Sequence, residues 1–134
     1  MKPKQKIGPK QEKFLNMLEN GEYKQCTHFL CEAPKDKPEN KRYCCMGIAC
    51  LSIGLKPEEK NKETRSNMNI YKFIEEIGAM PEKVIEELKF HGHSGGWNYE
   101  KADMSKMNDL DRLTFKEIAE KIRKNPQDFF KEPA

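Results

Sequence analysis

Tyr43-Cys44-Cys45-Met46-Gly47-Ile48-Ala49-Cys50 is the stretch on which the fold turns. It holds three of the five cysteines and opens an uncharged run, Tyr43 to Leu55, in a chain that is 35% charged. Such a run must lie at the centre of whatever core the protein builds. Cys45, Ile48, Ala49, Ser52 and Ile53 recur at spacings of three and four, which predicts a helix, and Gly54 stands where a helix-ending glycine belongs. The small residues Gly47, Ala49 and Ser52 would let another element approach closely.

Composition sets the frame around this segment. The length of 134 residues is that of one domain. The apolar fraction of 36% allows only a small core. Basic and acidic residues number 25 and 22, for a net charge of +3, and the signs alternate with no basic block beyond the first thirteen residues. Nucleic acid is therefore an unfavoured partner, because it requires a clustered basic face. The uncharged run is too short for a membrane helix. Residues 1–13 lack the apolar core of a signal peptide. The expectation is a cytoplasmic protein with reduced thiols, since the cysteines are odd in number and two are adjacent.

Working outward, residues 1–9 read as a flexible arm and 10–130 as a single globular domain. Phe14, Leu15 and Leu18 predict a helix over 10–20, stopped by Gly21. Tyr23 to Cys31 is compatible with a short extended segment, 33–41 with a loop, and 56–67 with a polar loop. Ile70, Phe73, Ile74 and Ile77 form a helical stripe over 69–77, closed by Gly78. Pro81 fits the first position of a helix over 81–89 with Val84, Ile85 and Leu88 inward. Thr114-Phe115-Lys116-Glu117 is a capping box that opens a last helix, with Phe115, Ile118, Ala119 and Ile122 on its buried face. Phe129 and Phe130 fold back over the core. The fold class expected is mostly α, a compact domain of about five short helices with room for one small β element.

The order of motifs resembles a family of small, mostly uncharacterised bacteriophage and prophage proteins. The resemblance rests on Asn20-Gly21-Glu22-Tyr23-Lys24-Gln25, the cysteine octet, Met80-Pro81-Glu82-Lys83-Val84, Met107-Asn108-Asp109 and Thr114-Phe115-Lys116-Glu117-Ile118-Ala119. It spans about residues 12–123. It implies a compact fold and a phage-type origin, and no particular activity.

Three groups of residues could carry chemistry. Cys26, His28, Cys31, Cys44, Cys45, Cys50, His91 and His93 are soft ligands, but no Cys-x-x-Cys knuckle exists and the spacings suit zinc poorly. The same thiols could supply a nucleophile, yet no orienting partner sits at a recognisable offset. Cysteine as a small buried hydrophobe is the simpler reading. Tyr23, Gln25, Asn108 and Asp109 are polar residues that serve either backbone satisfaction or a pocket. The loop His91–Trp97 has glycines whose amides could approach an anion, with Trp97 and Tyr99 able to stack on a base.

The candidate ligand-binding residues are accordingly Tyr23, Gln25, His91, His93, Trp97, Asn108 and Asp109, with no catalytic residue, metal or cofactor assigned. The expected function is a phage-type accessory or counter-defence protein that binds a host protein or a small nucleotide signal without catalysis. The alternative is a small thiol- or zinc-dependent enzyme using Cys44, Cys45 or Cys50 of that cluster.

Overall fold

The computed structural model describes residues 4–59, 67–96 and 103–134. Five α-helices occur among them: α1 (Pro9–Glu19), α2 (Cys45–Ser52), α3 (Glu82–Leu88), α4 (Met104–Asp109) and α5 (Phe115–Lys124). Five strands join them: β1 (Lys24–Gln25), β2 (Cys31–Pro34), β3 (Arg42–Tyr43), β4 (Glu58–Glu59) and β5 (Met68–Lys72). The strands form one mixed sheet in the order β1-β3-β2-β5-β4. Only the β1–β3 pair is parallel; β2–β3, β2–β5 and β4–β5 are antiparallel. The fold is therefore α/β, which corrects the expectation of a mostly α domain.

The largest part of the correction is one segment, while β2 and β4 also take in Ala33, Pro34, Glu58 and Glu59 from stretches expected as loops. Residues 69–77, expected as a helix, are instead β5 and a tight turn. Ile70 pairs with Glu32 and Tyr71 with Cys31, and Phe73 then closes a two-residue turn on Glu76. Ile70, Phe73 and Ile77 mimic helical spacing because strand and turn are read as one continuous element. The helix count nonetheless remains five, since α4 was not anticipated.

At the centre stands α2, with seven of its eight residues buried. Helix α1 packs on it through Phe14, Leu15 and Leu18, α3 contributes Val84, Ile85 and Leu88, and α5 contributes Phe115, Ile118, Ala119 and Ile122 to the same core. Gly47 explains how α2 reaches that position: a Cβ there would overlap the backbone oxygen of Leu30. Helix α2 ends as expected, with Gly54 at φ +90°, a conformation costly for any residue with a Cβ. Thr114 and Glu117 cap α5 reciprocally, at 2.9 and 3.1 Å. Phe129 and Phe130 are buried, and Phe130 stacks at 5.0 Å on Phe90, which meets Phe14 edge-on at 5.8 Å.

The segment before α1 lies against the body. Gln5 donates from Nε2 to Phe130 O at 3.2 Å, and Ile7 rests on the core. Of the 56–67 segment, residues 58–59 form β4, and 60–66 lie outside the described residues. No helix among the described residues is long and apolar enough to cross a membrane.

Candidate functional site

Gln25, Asn108 and Asp109 are brought together from β1 and the end of α4. Asn108 is 1% exposed, and both ends of its amide are fully used. Its Oδ1 accepts from Gln25 Nε2 at 2.8 Å and from the Cys45 N–H at 3.1 Å. Its Nδ2 donates to Cys26 O and to Asp109 Oδ1, each at 2.8 Å. Cys45 is the first residue of α2, so Asn108 satisfies one of the amides that a helix start leaves without a partner. Cys44, at the N-cap, offers no side-chain bond of its own. Gln25 also donates to Leu113 O at 2.8 Å, and Asp109 Oδ1 accepts the His28 N–H at 2.8 Å. Tyr23 stands beside this network, half-buried, its ring edge-on to Tyr43 at 5.7 Å. The network joins α2, α4, β1 and the loops around them, and its hydrogen-bonding capacity is directed inward.

His91 and His93 are elsewhere, on the loop after α3. His91 Nε2 lies 2.8 Å from Gln127 O, and His93 Nδ1 lies 3.3 Å from Met80 O. The loop closes on itself through Gly95 N–H to Gly92 O, and Ser94 donates to Asp103 Oδ2 at 2.9 Å. Asp103 caps α4 through Lys106 N–H. Trp97 and Tyr99 lie outside the described residues. The candidates thus divide into one integrated network around Asn108 and one separate histidine loop.

All five cysteines are free and buried. Burial pushes the thiols of Cys31 and Cys44 up to about 12, and raises those of Cys26, Cys45 and Cys50 as well. A nucleophilic cysteine needs the opposite shift. Cys45 spends its S–H on Met104 O at 3.4 Å, and Cys26 its own on Phe29 O. Among the described residues no group of three or more His, Cys, Asp or Glu is placed to hold a metal ion.

Sequence reasoning missed Gln11. It is fully buried in the first turn of α1, where its Oε1 accepts from Gly8 N–H at 3.0 Å. Its Nε2 donates to Leu88 O at 2.9 Å and Glu132 O at 2.8 Å. The available signal was Gly8-Pro9 followed by a glutamine at the third helical position, a variant of the capping box.

The family described as a domain of unknown function, DUF8296, matches residues 3–126, and the chain belongs to it. No curated protein and no solved structure matches the chain.

Proposed function

We propose, for this member of the DUF8296 family, a phage-type accessory or counter-defence role in the host-cell cytoplasm, exerted by binding a host component without catalysis. One observation carries the reading: the side chains best suited to chemistry are turned inward and already used. The thiols are buried and held protonated, and the Gln25–Asn108–Asp109 network is spent on backbone and side-chain partners of its own chain. The phage-type origin rests on the order of motifs around the cysteine octet.

A host protein is favoured over a small nucleotide signal. Small-ligand sites are concave and carry convergent polar groups. The grooves at Pro34–Asp36 and Met68, at Leu113–Lys124, and at Lys10, Ile53 and Glu87, of about 330, 250 and 290 Å³, are all open to solvent. The thiol-enzyme alternative needs an accessible, acidified cysteine, and burial works against it.

The test is capture of host components by the tagged full chain, with mass spectrometry of co-purifying proteins and small molecules. The expected result is one host protein retained in stoichiometric amount. An empty capture overturns the reading. So does turnover of a nucleotide or peptide that a single Cys→Ala change abolishes while the melting temperature is retained.

A further inference from the structure

The turn after β5 places an isoleucine where the backbone favours glycine. Phe73 N–H donates to Glu76 O at 2.9 Å and Glu76 N–H to Phe73 O at 3.0 Å, making Ile74 and Glu75 the central residues of a two-residue turn. Ile74 has φ +60° and Glu75 is not in the positive region. That is the pattern of a turn whose first central residue is normally glycine. A β-branched residue there is a genuine outlier. Elsewhere positive φ is met by glycine, at Gly21, Gly54 and Gly95, or by the unbranched His28, Lys89 and Arg112, and Ile74 is the one β-branched residue among them.

Core packing does not explain the choice. Ile74 is 46% exposed and lies outside the apolar cluster. Leu110, at 59%, is the other large apolar side chain exposed among the described residues. The segment 27–30 links the two. On one side its His28 N–H is held by Asp109, the residue before Leu110. On the other side Leu30 N–H donates to Ile77 O at 2.7 Å, and a Cβ on Gly78 would lie 3.4 Å from His28 O. His28 and Arg112, at φ +74° and +53°, are also non-glycine residues in the left-handed region. Strained backbone of this kind is kept where surrounding structure enforces it, and it concentrates at binding surfaces.

We propose that the Ile74 tip, with residues 27–29 and Leu110, is the docking surface for a protein partner that offers an apolar socket bordered by Lys or Arg. The charge at the tip sets the partner's chemistry. Glu75 and Glu76 follow Ile74 directly and are exposed. Glu76 has no ion pair among the described residues, and the side chain of Glu75 remains 83% exposed beside Lys72. This assignment rests on the binding function proposed above and gives it a place on the molecule.

A photo-crosslinking residue is introduced into the full chain at position 74 and, as a control, at the exposed Lys116 on α5. The crosslinked host protein is identified, purified and titrated against wild type, Ile74→Gly and the double change Glu75→Lys with Glu76→Lys. The expected result is a protein crosslinked from position 74 and not from 116. Its affinity should fall about tenfold to a hundredfold for Ile74→Gly, as loss of a buried apolar side chain implies, and should also fall for the double lysine change, which sets like charges against the basic rim. Ile74→Gly should meanwhile hold the melting temperature or raise it by about 3 °C. A clear fall in melting temperature would mean that Ile74 serves the fold, and would overturn the assignment. Unchanged affinity for a captured partner overturns the surface while leaving the binding function standing; no partner at all overturns both. A wild-type dimer dissolved by Ile74→Gly would make a second copy the occupant and overturn the host-protein assignment.

Discussion

The amide of Asn108 is the point where β1, the start of α2 and the loop through Cys26 are tied together. Replacing it with alanine strands a buried donor at Cys45 and a buried acceptor at Cys26. Each orphaned group costs roughly 1–3 kcal/mol. The expected outcome for Asn108→Ala is a loss of about 3 kcal/mol in chemical denaturation, with no change in the stoichiometry of thiols. The thiols themselves make a second prediction. Cys31 and Cys44 shift from an ordinary value of 9.0 to about 12 because burial disfavours the thiolate. Between those values the native state holds protons that the unfolded state has lost, so stability is full below about pH 9 and falls as pH rises toward 12. Denaturation midpoints across that range should show the decline, and Cys44→Ala should make it shallower, with the other buried thiols still contributing. Thiol labelling at pH 8 should be slow in native buffer and complete only after unfolding.

Among the elements, α2 depends on its glycine as much as on its cysteines. Gly47→Ala introduces a methyl group against the Leu30 backbone, which cannot swing aside as a side chain would. A loss of about 2–3 kcal/mol is expected, the upper part of the range for overpacking. Thr114→Ala, which removes an exposed cap from α5, should cost only about 1 kcal/mol. Both are read from melting curves, and the order of the two effects is the test. Helices α2 and α5 were legible in the sequence because their signals are local: an uncharged run ending in glycine, and a capping box ahead of an apolar stripe. Strand β5 was not legible, because its pairing with β2 lies more than thirty residues away in sequence and the stripe from Ile70 to Ile77 fits a helix equally well. Helix α4 is short, and Met104, Met107 and Asn108 bury a face that includes a polar residue. Asn108 and Gln25 were recognisable as polar residues needing partners. That they meet each other is a product of the tertiary fold.

Over the whole molecule, two of the polar side-chain ties that join the N-terminal helix to the rest differ in kind. Arg123 on α5 meets Glu12, Asn16 and Glu19 on α1 at 2.6–3.2 Å, and its guanidinium lowers the Glu19 carboxyl from its ordinary value. The tie has good geometry, but its charged members are 29–43% exposed, so water and salt screen it. Gln11 makes fewer bonds, yet it is wholly buried and joins α1, the end of α3 and the segment at Glu132. Its loss leaves the Leu88 oxygen and the Gly8 amide without partners in a place water does not reach. Burial should therefore outweigh charge. Arg123→Ala is expected to cost about 1 kcal/mol or less, and less still at 1 M salt. Gln11→Ala should cost about 2–4 kcal/mol at any salt concentration. Hydrogen exchange separates the two further: Gln11→Ala should expose the Lys131 amide, which donates to Lys89 O at 2.7 Å, whereas Arg123→Ala should leave it protected. Equal, salt-sensitive losses in the two variants would show that the ends of the fold are held by charge instead.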